Sequence, residues 1–199
     1  MENSKGIKTI LVGETGVGKT NLINVSMGKE FIQNLNSSLT SAYYENQVEY
    51  NNKKYLYTLW DTAGQERFRS LNKIFIKDSK VVLIVFAIDN KNSYNEINYW
   101  IKYIKDILGE EKYIMGLVAN KSDLYEEQVI SDEEMINKAK ENNMKFKLTS
   151  AYSDADGFKD FLHELLKDYI NLIGPQEEKK LSFTLIQEPV VKKKKKKCC

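Results

Sequence analysis

The chain has 199 residues, of which 42 % are hydrophobic, so it is long enough for one domain with a sizeable buried core. Its longest apolar run, residues 81–88, is far shorter than the ~20 residues of a membrane-spanning helix. The formal net charge is +2, but residues 192–197 are all lysine, and without them 24 basic residues face 28 acidic ones. The folded part is therefore mildly acidic, and no nucleic-acid surface is expected. The only two cysteines are the last two residues, which excludes a disulfide framework in the folded part.

Strands and helices are predicted to alternate along the chain. Strands are expected where apolar residues run together or alternate, and helices where they recur three or four positions apart. The predicted elements are a strand at 7–12, a helix at 19–27, strands at 43–50, 53–60 and 81–88, a helix from Ser93 to 108, a strand at 112–119, a helix from Ser131, a strand at 144–148 and a helix at 156–173. Ser93 is interpreted as a helix cap, and Ser131 with Glu134 as a capping box.

This alternation predicts an α/β fold with a six-stranded, mostly parallel sheet flanked by about five helices. Residues 28–42 lack either periodicity and are predicted to form a long loop. Gly174 and Pro175 are expected to end the last helix, so residues 1–174 are interpreted as one domain. Residues 175–199 are polar and lysine-rich, which is typical of a flexible tail.

Residues 13–20 fit the phosphate-loop pattern G-x-x-x-x-G-K-[ST] between a predicted strand and a predicted helix. Gly13, Gly16 and Gly18 allow successive backbone N–H groups to point at phosphate oxygens, and the helix N-terminus adds a favourable dipole. Lys19 supplies a positive charge to the β- and γ-phosphates. The hydroxyl of Thr20 is a hard oxygen ligand for Mg²⁺.

A second motif, Asn120-Lys121-Ser122-Asp123, follows a predicted strand and predicts which base is bound. Loops at the carboxyl ends of parallel strands are where α/β sheets bind ligands. The carboxylate of Asp123 can accept hydrogen bonds from both N1–H and the 2-amino group of guanine, whereas adenine offers no such pair of donors. The motif therefore favours a guanine nucleotide.

With these motifs, the stretches D-T-A-G-Q at 61–65 and T-S-A at 149–151 give the chain a sequence that resembles the Ras superfamily of small GTPases. The resemblance covers the whole body of the chain. It implies the P-loop NTPase fold of a G domain, binding of GTP or GDP with Mg²⁺, and slow hydrolysis of GTP to GDP and phosphate. Leu148 stands where the family usually has a glutamate.

The resemblance also implies roles for individual residues. Gln65 would orient the attacking water, and Mg²⁺ would be held by Thr20, Ser38 and, through a water, Asp61. The implied nucleotide contacts are Thr15, Gly16, Val17, Gly18, Lys19, Thr20, Asn21, Phe31, Ser38, Gly64, Asn120, Lys121, Asp123, Ser150 and Ala151.

Ser38 is assigned by counting. In the family, a threonine stands nineteen residues after the phosphate-loop lysine, and the same count from Lys19 reaches Ser38. Thr40 is the alternative, but it requires compensating gaps on both sides. The only arginines, Arg67 and Arg69, follow Gln65, so no arginine finger within the chain is expected and intrinsic hydrolysis is predicted to be slow.

Residues 60–70 and the pair Cys198-Cys199 are similar to the Rab branch of the superfamily. By this resemblance both cysteines would be geranylgeranylated behind the lysine run, which would hold the protein on the cytoplasmic face of an intracellular membrane, with a cytosolic pool. Tyr43, Trp60 and Phe75 match the three aromatics of the Rab effector patch, although simple packing explains them equally well. The stretch at 39–43 departs from the Rab pattern, which indicates a divergent member.

The implied function is a monomeric switch that recruits effector proteins in vesicle trafficking. The family's partners are an exchange factor, a GTPase-activating protein, an escort protein and a dissociation inhibitor. The alternative is a nucleotide-locked interaction module with little hydrolysis, although Lys19, Thr20 and Gln65 favour the switch. Asp123 opposes a third possibility, an ATP-dependent kinase.

Overall fold

A computed structural model describes residues 6–33, 42–61 and 69–183. Within these ranges one sheet forms the centre of the fold, and its main path has the strand order β2-β3-β1-β4-β5-β6. Only β2 and β3 pair antiparallel along this path. The strands are β1 (Ile7–Val12), β2 (Ala42–Tyr50), β3 (Lys53–Asp61), β4 (Val81–Ala87), β5 (Ile114–Asn120), β6 (Lys145–Leu148) and a short β7 (Ser182–Phe183).

Helices cover both faces of the sheet. They are α1 (Lys19–Ser26), α2 (Arg69–Ile76), α3 (Lys91–Asn95), α4 (Ile97–Leu108), α5 (Asp132–Glu141) and α6 (Ala155–Leu181), with a 3₁₀ helix at Ser122–Glu127. The α/β class and the mostly parallel sheet of six main strands are confirmed.

The continuous apolar run of β4 reflects burial on both faces. Val81, Leu83 and Val85 pack in one core cluster with residues of α1 and α6. Val82, Ile84 and Phe86 alternate with them and pack in a second cluster with residues of α4 and α5. A strand with helices on both sides has no face left for polar residues, so its sequence is apolar throughout.

The parallel strands end at one edge of the sheet. The register pairs Leu11 with Asp61, Ala87 with Asn120 and Ala119 with Leu148. The carboxyl ends of β1, β3, β4, β5 and β6 therefore lie along this edge, which is where ligands bind in open α/β sheets.

The prediction that Ser93 caps a single helix is wrong. Asn90 is the cap, and its side chain accepts a hydrogen bond of 3.0 Å from the backbone N–H of Ser93. Ser93 itself is buried, and its hydroxyl donates to the carbonyl of Asn90. Asparagine caps helices as well as serine does, and here Asn90 is the cap of α3. The predicted single helix is two helices, because α3 ends at Asn95 and α4 begins at Ile97.

The predicted capping box of α5 is confirmed. The Ser131 hydroxyl accepts from the backbone N–H of Glu134, and the Glu134 carboxylate accepts from the N–H of Ser131 at 2.9 Å. This backbone bond and the Lys91 ammonium hold the pKa of Glu134 at about 2.

The end of the last helix departs from prediction. Gly174 breaks the helical path with φ 75° and ψ 175°, as expected, but the chain resumes as helix to Leu181. Proline is tolerated at the start of a helix because its missing N–H would have no partner there, so Pro175 does not prevent the second segment. Ser182 and Phe183 then pair with Tyr55 and Lys54 of β3, so the structure has regular elements as far as residue 183.

His163, the only histidine, lies on α6 with its Nε2 3.4 Å from the Tyr57 hydroxyl oxygen. Burial lowers the pKa of His163 below its ordinary value, and Lys159 and Lys167 act in the same direction against Asp160. The folded state therefore binds fewer protons than the unfolded state as the pH falls through about 6.5.

We expect the melting temperature to fall between pH 8 and pH 5.5, and to fall less in His163→Gln. Thermal unfolding of both proteins across this range measures the difference. Equal pH dependence in the two proteins would show that His163 is not the responsible group.

Candidate functional site

The turn after β1 needs glycine at two positions. Gly13 has φ 146°, and a Cβ there would lie 2.0 Å from the carbonyl oxygen of Val85 in β4. Gly18 has φ 94°, and its Cβ would lie 2.3 Å from Nδ2 of Asn120. The turn is therefore pressed against the ends of β4 and β5, and side chains larger than hydrogen would push it out of place.

Lys19 crosses this turn. It is 4 % exposed, and its Nζ donates to the carbonyls of Gly13 and Glu14, both at 2.9 Å. The first turn of α1, which the structure describes in full, contains no acidic residue. A positive side chain and the positive end of a helix dipole thus lie together, an arrangement that attracts a phosphate group.

Asn120, the last residue of β5, joins three segments of the site. Its Nδ2 donates to the carbonyl of Val17 in the glycine turn at 2.8 Å. Its Oδ1 accepts from the backbone N–H of Ala151, in the loop after β6, at 3.1 Å. The side chain is 1 % exposed, so both bonds are shielded from water. Asn120 therefore fixes the glycine turn relative to the loop after β6.

Asp123 and Ser150 lie together. The Ser150 hydroxyl donates to Oδ1 of Asp123 and accepts from the backbone N–H groups of Tyr152 and Ser153 at 3.0 and 3.1 Å. Ser150 is fully buried while Asp123 is exposed. The buried hydroxyl thus orients a carboxylate that a ligand can reach.

Lys121 makes an ion pair that the sequence analysis missed. Its φ is 65°, and its Nζ lies 3.0 Å from Oδ2 of Asp89. Asp89 follows β4 by two residues, so the neighbouring order of β4 and β5 brings the two side chains together. In the sequence, Asp89 could have been singled out only by its position just after the end of a strand.

The side chain of Asn21, on α1, is hydrogen-bonded to the backbone of the loop that follows this helix. Its Nδ2 donates to the carbonyl of Ile32 at 2.9 Å, and its Oδ1 accepts from the N–H of Ile32 at 3.2 Å. Phe31, 37 % exposed, is the neighbouring residue, and its ring lies edge-on to that of Tyr152 with 5.3 Å between centroids. Asn21 thus positions the loop that carries Phe31, and Tyr152 was not anticipated from the sequence.

The described metal candidates lie at the start of α1 and the end of β3. Thr20 directly follows Lys19, and Asp61 is 1 % exposed beside Leu11 of β1. The remaining predicted phosphate contacts lie in the glycine turn. Val17 is buried there between Gly16, which has φ 78°, and Gly18. The backbone N–H of Thr15 donates to the Glu14 carboxylate at 3.2 Å. Outside the described residues lie the predicted site residues Ser38, Thr40, Gly64, Gln65, Cys198 and Cys199.

Comparison with known proteins decides the family. The family model described as "Ras family" matches residues 8–171. The chain belongs to the Ras family. It is 32 % identical over 167 residues to the GTP-binding protein ypt3 of Schizosaccharomyces pombe, covering 84 % of this chain and 77 % of that protein. It is 31 % identical to the Ras-related protein RABF2a of Arabidopsis thaliana, over 80 % of this chain and 79 % of the relative.

A third relative, the Ras-related protein Rab-21 of Geodia cydonium, is 31 % identical over 84 % of this chain and 72 % of its own length. The chain is thus a small GTPase of the Ras family with Rab-named relatives, as the motifs predicted. GTP binding and hydrolysis are general for this family.

The three aromatics matched to the Rab effector patch form a continuous row in this Ras-family GTPase. The centroids of Tyr43 and Trp60 are 5.1 Å apart, and those of Trp60 and Phe75 are 6.2 Å apart. Tyr43 is 48 % exposed, and the β2–β3 register places it directly opposite Trp60. The row therefore links β2, β3 and α2 and is accessible at its Tyr43 end.

Proposed function

We propose that this Ras-family GTPase is a Mg²⁺-dependent GTP/GDP switch of the Rab type, anchored to a membrane by its C-terminal cysteines. The observation that supports the nucleotide site most directly is the position of Asn120. The two buried hydrogen bonds of Asn120 join three segments into one structural unit: the glycine turn, the segment that carries Asp123 and the loop that carries Ala151. A nucleotide needs these three segments at once, for its phosphates and for its base.

Asp123 reads the base in this proposal. Its carboxylate, oriented by Ser150, accepts from N1–H and the 2-amino group of guanine, while the backbone N–H of Ala151 lies near the guanine carbonyl. Lys121, paired with Asp89, supports the same loop. Adenine would leave these polar groups without partners, which disfavours its binding by a large factor.

Lys19 and the N–H groups of the glycine turn hold the phosphates. The donor set available for Mg²⁺ consists of hard oxygen atoms, the Thr20 hydroxyl and the buried Asp61 carboxylate, which is the set this ion prefers. The β1–β3 register supports the fit because it brings Asp61 beside the strand that leads into the turn. Ser38 is proposed as the other ligand, with Thr40 as the alternative. Bound Mg²⁺ would neutralise charge on the β- and γ-phosphates.

Gln65 is proposed to orient the water that attacks the γ-phosphate, and the N–H of Gly64 to contact that phosphate. We expect Gln65→Leu to bind GTP as the unmodified protein does and to lose at least tenfold in hydrolysis rate, because only the orientation of water is removed. Single-turnover hydrolysis of bound GTP measures this, with GDP affinity as the control. Wild-type hydrolysis in the variant would remove Gln65 from the mechanism.

The tail provides the proposed anchor. No helix in the described ranges combines the length and apolarity needed to span a membrane. We propose a G domain at 1–174 and a tail at 175–199 whose first part, to Phe183, docks on β3. Stable attachment takes two signals, and geranylgeranyl groups on Cys198 and Cys199 beside the lysines at 192–197 would supply both lipid and charge.

We expect the double variant Cys198→Ser, Cys199→Ser to become cytosolic in cells and to remain in the supernatant when liposomes are pelleted. The control replaces the six lysines by glutamine, which is expected to change the membrane that is occupied without full release, because both lipids remain. Retention of the double serine variant on membranes would contradict the lipid anchor.

Effector recruitment is proposed at the row formed by Tyr43, Trp60 and Phe75. Tyr43 is the exposed end of this row. An exchange factor, a GTPase-activating protein, an escort protein and a dissociation inhibitor complete the proposed cycle, which operates in vesicle trafficking on the cytoplasmic face of a membrane.

A further inference from the structure

We propose that Asp89 is a positioning residue of the nucleotide site: its carboxylate fixes the side chain of Lys121 and thereby slows release of the guanine nucleotide. This inference rests on the proposed function, because it takes Lys121 to contact the nucleotide. It adds the segment after β4 to a base site that the proposed function builds from the segments after β5 and β6.

The ion pair lies where two neighbouring strands end. Nζ of Lys121 lies 3.0 Å from Oδ2 of Asp89, and the two side chains are 31 % and 19 % exposed, respectively. The backbone N–H of Ile88 donates to the carbonyl of Asn120 at 3.1 Å, so the residues just before the pair are themselves bonded to each other. A partly shielded pair on a fixed backbone has a more defined geometry than a pair of mobile surface side chains.

The two partners depend on this ion pair to different degrees. Oδ1 of Asp89 is buried and has no hydrogen-bond partner in the described part of the chain, so Lys121 provides the compensation that the structure shows for this carboxylate. Lys121 is the more exposed partner, and its long side chain can reach water when the pair is broken. Loss of Lys121 therefore leaves a buried charge unpaired, whereas loss of Asp89 leaves a solvated lysine that is no longer fixed in place.

Lys121 belongs to the turn that leads to the proposed base-reading carboxylate of Asp123. It has φ 65° and ψ 38°, a left-handed conformation that lysine rarely adopts. Such a conformation costs free energy and persists only where surrounding contacts hold it. The ion pair with Asp89 is a contact of this kind. Without it, we expect Lys121 and Asp123 to leave their binding positions more often.

The ion pair also neutralises the charge of Lys121. An ammonium that is bonded to a carboxylate adds little net charge to the field at the phosphates, so Asp89 acts on the base end of the nucleotide. Because GDP and GTP have the same base, the loss of Asp89 should affect both nucleotides by the same factor. An effect through net charge would differ between them, since GTP is the more negative of the two.

The test is the rate at which fluorescent GDP, and a fluorescent non-hydrolysable GTP analogue, leave the full chain in the presence of Mg²⁺ and excess unlabelled nucleotide. The variants are Asp89→Asn, Lys121→Met and the double variant. The matched control is Glu111→Gln. Glu111 pairs with Lys80 at 2.8 Å, and this pair lies before the starts of the same two strands, at the edge away from the site.

We expect Asp89→Asn to release both nucleotides 3- to 10-fold faster than the unmodified chain, with the two factors agreeing within twofold. In the Lys121→Met background, the same change should alter the release rate by no more than twofold, because Asp89 acts through Lys121. The double variant should also melt at a higher temperature than Lys121→Met, because the unpaired carboxylate is gone. Glu111→Gln should stay within twofold of the unmodified chain.

Release from Asp89→Asn that is slower than, or within twofold of, that of the unmodified chain would overturn the proposal. An undiminished effect of Asp89→Asn in the Lys121→Met background would also overturn it, as would factors for GDP and GTP that differ more than twofold. Should Asp89→Asn fail to fold, Asp89→Ser, which also lacks the charge, replaces it in every comparison. Failure of the unmodified chain to retain GDP would instead refute the proposed function.

Discussion

Replacing Asp123 by asparagine is expected to lower the affinity for GTP by several orders of magnitude and to create binding of xanthosine triphosphate. The amide presents a donor where guanine also presents donors, whereas xanthine offers a carbonyl there. A polar site that loses its matched partners discriminates by ~10⁴–10⁵. Competition of GTP and XTP against fluorescent GDP measures both affinities.

The matched control is Asp106→Asn, since Asp106 is an exposed aspartate on α4 that pairs with Lys102, four residues earlier. Surface ion pairs of this kind contribute little to stability, so this variant should bind both nucleotides as the unmodified chain does. Unchanged GTP affinity in Asp123→Asn would remove the carboxylate from base recognition.

Replacing Asn120 by alanine is expected to weaken both the fold and nucleotide binding. The change leaves the carbonyl of Val17 and the N–H of Ala151 buried without their partner, at a cost of about 2–4 kcal/mol in the free energy of unfolding. We expect GDP affinity to fall at least 100-fold, because the glycine turn and the loop after β6 are no longer held in register. Thermal unfolding and GDP titration measure the two effects.

Two further variants make this test specific. Asn120→Asp keeps the acceptor for Ala151 but places a buried carboxylate oxygen against the carbonyl oxygen of Val17, so its losses should be at least as large as those of alanine. Asn142→Ala removes an amide that donates to the carbonyl of Lys138; because Asn142 precedes the start of β6 and the site follows its end, this variant should preserve GDP affinity. Equal GDP affinity in Asn120→Ala and the unmodified chain would contradict the bridging role.

The features that sequence predicted well are those encoded locally. The apolar run at 81–88 predicts a strand that is buried on both faces. The glycines at 13 and 18 predict a turn that only glycine allows. The capping box of Ser131 and Glu134 is likewise complete within four residues. Each of these signals is visible within a short stretch of sequence, even where the contacts behind it, such as that of Gly13 with Val85, are made with distant residues.

The features that sequence missed depend on partners distant along the chain. β1 pairs with β3 only from Tyr57 onward, so the preceding residues of β3 are left with an unpaired edge. β7 pairs with β3 there, at Lys54 and Tyr55. The ion pair of Asp89 with Lys121 depends on β4 lying beside β5, and the contact of Tyr152 with Phe31 on two loops 121 residues apart. No local pattern specifies such neighbours.

The most direct test of the central claim is a single-turnover experiment on the full chain loaded separately with radiolabelled GTP and ATP in the presence of Mg²⁺. A guanine-nucleotide switch should retain GTP through gel filtration, fail to retain ATP, and convert the bound GTP slowly to GDP and phosphate. Equal retention of ATP, or GTP that stays as intact as in Gln65→Leu, would contradict the account.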